Sequence, residues 1–224
     1  MENKQLSELR NKFTKFNGEN VGDIIEYILG VIKEYPDTTI SVGCDSSLGR
    51  KSTSYVVAIM LYSNSFKKGA HVIYYRENIE RIKNTFDRLQ REAIYSKEIA
   101  DFLHDNLKDV YIRKDLNNEE RKRYKFHLLR CNGQYEGLEY HTEEAIRNSL
   151  FLSEEDLNKE YKLIDIHLDY NIMEGSKDKM GNPKNKSYLA FKALSPWLRG
   201  LDFRVFCKPQ SFCSSCAADA LIKI

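Results

Sequence analysis

Two short stretches carry residue types that could hold a metal ion. The first is Ile40-Ser41-Val42-Gly43-Cys44-Asp45-Ser46-Ser47, a β-rich run that closes on a carboxylate and two hydroxyls. An acid flanked by small polar groups at the end of a strand suits a divalent cation. The same residue types are common wherever a strand enters a turn, and taken alone that ordinary account suffices. Gly43 admits a second backbone or a ligand at close range. The second stretch is Ile164-Asp165-Ile166-His167-Leu168-Asp169. Period-two alternation puts Ile164, Ile166 and Leu168 on one face and Asp165, His167 and Asp169 on the other. Two acids and a histidine are costly to bury unpaired, so that face is either solvated or turned into a polar site. The apolar composition favours an interior strand, and hence a site. For His167 alone, a hydrogen-bonded core histidine is a simpler account than a ligand.

Both stretches need elements around them. After the first come strands at 55–61 and 71–76, joined by short polar turns, so three strands form an antiparallel meander. Before it, Val21, Ile24, Ile25, Ile28, Leu29 and Ile32 recur at helical spacing. Residues 84–107 form a second helix with a stripe of Phe86, Leu89, Ala93, Ala100 and Leu103; Glu92 sits at the stripe's edge, where it can look along the sheet. Most helical Glu residues are solvated or paired at i,i+4, which is the plainer account of it. A helix over 188–201 follows the second acidic stretch, with Pro196 predicting a kink or an early end. Residues 203–207 give a last strand, and 212–221 a last helix rich in small residues, with Asp219 among them. Residues 1–20 are a polar arm, and 21–224 read as one domain with an insertion over 109–160.

The insertion is the least legible part. A strand at 109–113 is expected, and Arg121-Lys122-Arg123-Tyr124-Lys125-Phe126-His127 interleaves bases with aromatics. That pattern suits phosphate contacts with base stacking, and suits a solvated helix better. Helix starts are expected at His141-Thr142-Glu143-Glu144 and Ser153-Glu154-Glu155-Asp156. His127, Cys131 and His141 match no zinc-ligand spacing, and the lone Cys213-x-x-Cys216 pair reads as packing.

Composition narrows the class. Lys and Arg total 35 against 33 Asp and Glu, so a nucleic-acid partner would have to be met by a local patch. The loop holding Lys177, Lys179, Lys184 and Lys186 is such a patch: flexible and solvated by itself, a source of ammonium groups for a phosphate backbone if it lies beside an acidic site. No apolar run approaches the roughly 20 residues of a membrane span. Five cysteines without disulfide-framework spacing point to a reducing, cytoplasmic setting.

Meander, helix, strand, helix, strand, helix is the resulting order, with Asp45, Glu92, Asp169 and Asp219 at four element positions. That order, with Val42-Gly43-Cys44-Asp45-Ser46, His167-Leu168-Asp169-Tyr170-Asn171, Lys208-Pro209 and Ser214-Ser215-Cys216-Ala217-Ala218-Asp219, resembles the YkuK-like family of predicted ribonuclease H-like proteins over residues 36–108 and 162–224. The resemblance implies an α/β fold: a mixed five-stranded sheet, order 3-2-1-4-5 with strand two antiparallel, and helices on both faces. Asp45 and Asp169 would then be neighbours.

It further implies a metal-dependent nuclease. Phosphodiester hydrolysis by two ions roughly 3.5–4 Å apart needs several carboxylates, and hard oxygen donors favour Mg²⁺ or Mn²⁺. On this view Asp45 bridges two ions, Glu92 and Asp169 complete one side and Asp219 the other. Ser46 or His167 would orient the ligands, and the loop lysines would grip the RNA, DNA or hybrid. Two other classes stay open: a non-catalytic binding module on the same fold, and a regulatory protein whose partner engages 109–160.

Overall fold

The computed structural model describes residues 9–63, 66, 70–110, 161–181, 184–208 and 210–223. Residues 111–160 lie outside these, and with them the expected basic run, the two helix starts, the zinc question at His127, Cys131 and His141, and most of the expected strand at 109–113. By contacts the chain divides into one unit of residues 1–112 and 161–224 and a second of residues 113–160. Every strand and helix among the described residues belongs to the first unit.

The centre of that unit is an open mixed sheet. The strands are β1 (Thr14–Lys15), β2 (Thr39–Leu48), β3 (Ser52–Tyr62), β4 (His71–Glu80), β5 (Asp165–Leu168) and β6 (Arg204–Phe206), in the order β1-β4-β3-β2-β5-β6. β2, β3 and β4 pair antiparallel as a meander, whereas β2, β5 and β6 run parallel. The sheet thus has six strands among the described residues, where the resemblance implies five. The difference is β1, which pairs antiparallel with the outer edge of β4. The other five strands keep the neighbours the implied order requires.

The extra strand comes from the polar arm. One apolar residue there, Phe13, is fully buried and meets Tyr75 edge-on at 5.0 Å between ring centroids. Arg10 fastens the same segment, donating to Asp23 at 3.0 Å and to Asn106 at 2.7 Å. A mostly polar segment docks because one aromatic and one guanidinium find partners that sequence proximity does not reveal.

Helices cover both faces. On one lie α1 (Ile24–Glu34), α2 (Thr85–Leu107) and α3 (Lys186–Gly200). Each starts at a side-chain cap that accepts from the first backbone N–H groups: Asp23, Asn84 and Asn185 respectively. Their apolar stripes, including Ile24, Ile28, Leu89, Ala93, Leu103, Ala190 and Leu194, share one core with Val42, Cys44, Val57 and Ile166 of the sheet. Pro196 does not end α3, which runs on to Gly200, so of the expected kink or early end the early end does not occur. Leu194 and Leu198 on either side of it are buried, and that packing carries the helix through the missing hydrogen bond while the proline faces solvent.

The opposite face is covered by the C-terminal segment, a π-helical turn (Cys213–Ala218) running into α4 (Asp219–Ile222). Cys213, Ala218 and Leu221 pack there against Val56 and Ala58. Gly43 makes this possible. A Cβ at that position would stand 2.5 Å from the Ser214 nitrogen and 2.8 Å from the Cys213 carbonyl carbon. The second backbone that Gly43 admits is therefore this turn.

Candidate active site at the carboxyl ends of β2 and β5

Strand alternation decides where the acids point. On β2, Cys44 and Ser46 face the three-helix side, while Gly43 and Asp45 face the C-terminal turn. Parallel pairing sets Gly43 beside His167 and Cys44 beside Leu168. Continued by one residue, that register sets Asp45 beside Asp169, which lies just past β5.

Glu92 approaches from α2. It is only 2% exposed, and its Oε1 accepts a hydrogen bond from the Ser46 hydroxyl. Tyr170 holds α2 over this corner: its buried hydroxyl donates to the Leu89 carbonyl at 2.5 Å, one turn before Glu92. Burial pushes the Glu92 carboxyl up to about 8; the Ser46 hydrogen bond and Arg88 oppose this, and Asp45 and Asp169 add repulsion. Burial likewise pushes Asp45 up to about 6, reinforced by Asp169 and Asp219 and opposed by the Ser46 N–H and by Arg88. The four acids therefore share one electrostatic neighbourhood, with Glu92 and Asp45 held towards their protonated forms.

Cations already touch two of them. Lys208 Nζ lies 2.9 Å from Asp169 Oδ2, and Lys223 Nζ lies 2.5 Å from Asp219 Oδ2. Arg88 donates to the Ser46 carbonyl at 3.2 Å. Two carboxylate oxygens nonetheless remain bare: among the described residues, Glu92 Oε2 and Asp169 Oδ1 are buried without a hydrogen-bond partner. Among the described residues, no group of three or more His, Cys, Asp or Glu side chains is arranged to hold a metal ion. The donors match a hard divalent cation in kind, and the bare oxygens are where one would be satisfied. With Asp169 and Asp219 turned onto lysines, the four do not converge on one point.

The remaining predicted residues behave differently from one another. Ser46 stands beside Glu92. His167 is buried, and its Nδ1 accepts the Cys213 N–H at 3.1 Å, so it fastens the π-helical turn to the sheet. Asp165 on the same face pairs with Arg204 at 3.0 Å. Of that strand face, Asp169 alone reaches the carboxylate group. Lys177 pairs with Glu174, and Lys179, Lys184 and Lys186 are exposed. Their loop begins and ends beside Asp169: Ser187 Oγ accepts from Asn171 N at 2.8 Å and donates to the Asp169 carbonyl at 3.4 Å. In the C-terminal turn Cys213 is buried, consistent with packing, whereas Cys216 is exposed.

Sequence reasoning missed Arg88, Tyr170, Lys208 and Lys223 as parts of this corner. Arg88 lies four residues before Glu92 and Lys223 four after Asp219, a helical spacing that could have found both. Lys208 and Asp169 are 39 positions apart, and no local pattern joins them.

A family model described as ribonuclease H-like matches residues 23–128, a little under half of the chain. The match supports a ribonuclease H-like family assignment, and the mixed sheet with helices on both faces is consistent with that fold. It includes Asp45 and Glu92 and stops short of Asp169 and Asp219. Searches of curated proteins and of solved structures returned no match. No helix among the described residues is long and apolar enough to cross a membrane.

Proposed function

We propose that this protein is a metal-dependent nuclease that hydrolyses phosphodiester bonds, with Asp45, Glu92, Asp169 and Asp219 holding two Mg²⁺ or Mn²⁺ ions. One observation carries the reading: a fully buried carboxylate, Glu92, presents a bare oxygen beside Asp45 and Asp169. Burying such a group in its ionised form is unfavourable without a cation to balance it, and carboxyls shifted this far by burial cluster at functional sites. Divalent ions there would supply Lewis-acid chemistry, activating an attacking water and stabilising the leaving oxygen. Ser46 holds Glu92 by one oxygen and leaves the other available. Tyr170 fixes α2 relative to the end of β5, and Gly43 lets the C-terminal turn bring Asp219 onto the sheet. The exposed lysines of the loop after Asp169 and of the first turn of α3 would contact the phosphate backbone, because Ser187 roots that segment at Asp169.

A second reading, a non-catalytic nucleic-acid- or protein-binding module on the same fold, is favoured by the lysines seated on Asp169 and Asp219. Cleavage of labelled RNA, single- and double-stranded DNA, junction DNA and an RNA–DNA hybrid with Mn²⁺ or Mg²⁺ separates the two. Metal-dependent cutting lost in both Asp45→Asn and Asp169→Asn is the expected result. Binding without cutting on every substrate would establish the module.

A further inference from the structure

We infer that Lys208 is a built-in counter-ion of Asp169, whose ammonium a divalent cation must displace to enter the carboxylate corner. The inference rests on the metal-site reading above and names what controls occupancy of that site.

Three observations carry it. The pair is built by the sheet: β5 and β6 run in parallel register up to His167 opposite Phe206, and beyond them the Lys208 N–H donates to the Tyr170 carbonyl at 3.2 Å. The Lys208 backbone is thus tied to the residue after Asp169. Second, the ammonium satisfies only half of its partner. It reaches Oδ2 at 2.9 Å, while Oδ1 of the same carboxylate is buried and bare among the described residues. Glu92, beside it and fully buried, has a bare oxygen too. A single monovalent group on a long stem leaves both oxygens unanswered. Third, the other two cations are placed differently. Lys223 is an i,i+4 helix partner of Asp219 with a side chain 69% exposed, so it swings away at little cost. Arg88 donates to the Ser46 carbonyl and acts electrostatically on Asp45 and Glu92.

An ammonium on a ligating carboxylate weakens divalent binding in two ways. It occupies a donor, and it repels the incoming charge at a range where screening is incomplete. Removing the charge while keeping a polar side chain of nearly the same reach therefore tightens binding. A merely structural ion pair predicts the opposite, because its loss would loosen Asp169.

The test is Mn²⁺ titration by calorimetry of the full chain as wild type, Lys208→Gln, Lys208→Arg and Lys223→Gln. Lys208→Gln is expected to bind roughly three- to tenfold more tightly, the order that one partly screened charge produces. Lys208→Arg keeps the charge and should stay within about twofold of wild type; Lys223→Gln should gain less than Lys208→Gln. Equal or weaker binding by Lys208→Gln, or tightening by Lys208→Arg as well, overturns the role given to Lys208 and leaves the metal site standing. Absence of Mn²⁺ binding in all four proteins overturns the metal site itself, and this inference with it.

Discussion

The Ser46 hydroxyl of β2 and the Glu92 carboxylate of α2 meet across the sheet–helix interface, and the hydrogen bond they share engages only Oε1. The second oxygen, Oε2, is left in the protein interior without a partner among the described residues. One side of the carboxylate is thereby fixed and the other is free to bind.

That arrangement gives the stability of the metal-free protein a defined pH dependence. The folded Glu92 keeps its proton up to about pH 8, whereas its unfolded counterpart ionises near 4.5. Between those values the native state binds more protons, so the Glu92 contribution to stability falls as pH rises and is fully unfavourable above pH 8. Glu92→Gln removes this contribution. Its stability relative to wild type should grow from pH 4.5 to 8 by something on the order of 3 kcal/mol. Urea unfolding of both proteins at pH 5 and pH 8 measures it, and a pH-independent difference would contradict burial as the cause.

Divalent cations should reverse that penalty. Mg²⁺ should raise the Tm of the wild type, and more so as pH climbs past the Asp45 value of about 6 and the Glu92 value of about 8, since both carboxylates must ionise to bind it. At a hundredfold excess over Kd the gain is about 2.7 kcal/mol. Asp45→Asn should abolish it. A metal-induced Tm shift that survives Asp45→Asn would show that the ion sits elsewhere.

Gly43 should tolerate no side chain. The nearest atoms to an added Cβ are backbone atoms of Ser214 and Cys213, at 2.5–2.9 Å, so the whole C-terminal turn must retreat. Gly43→Ala should cost about 3 kcal/mol, at the upper end of overpacking penalties, and should carry Asp219 away from Asp45. Thermal unfolding gives the first effect; loss of Mn²⁺ affinity gives the second. A variant with wild-type Tm would show that the turn is not held against β2 as described.

The N-terminal arm should behave as part of the folded domain. Phe13→Ala opens a cavity against Tyr75 and should destabilise by about 3–5 kcal/mol. Chemical denaturation is a direct check, and a loss below about 1 kcal/mol would mean that the arm is only loosely seated.

Much of this fold is legible from local patterns because those patterns are local physics. The helical period of Ile24, Ile25 and Ile28, the stripe of Leu89, Ala93 and Leu103 and the alternation from Ile164 to Asp169 each need only neighbours a few residues away. So do the strand-end position of Asp45 and the stripe-edge position of Glu92. The same locality kept Phe13 hidden in a polar arm, because a single aromatic has no period, and left an early end at Pro196 as one of two expectations, because the packing that carries the helix past it comes from other elements.

What the sequence by itself determined about this protein is therefore the identity and order of its described elements other than β1, and the presence of acids at four of them. Only the tertiary structure decided which oxygens of those acids are bare and which are engaged. Lys208 reaches Asp169 through the parallel register of β5 and β6, Ser46 reaches Glu92 across two layers, and Ser214 reaches Gly43 because a backbone can pass where no Cβ stands. These contacts join residues tens to well over a hundred positions apart. Their energies depend on distance and burial in three dimensions, and neither quantity has a one-dimensional signature.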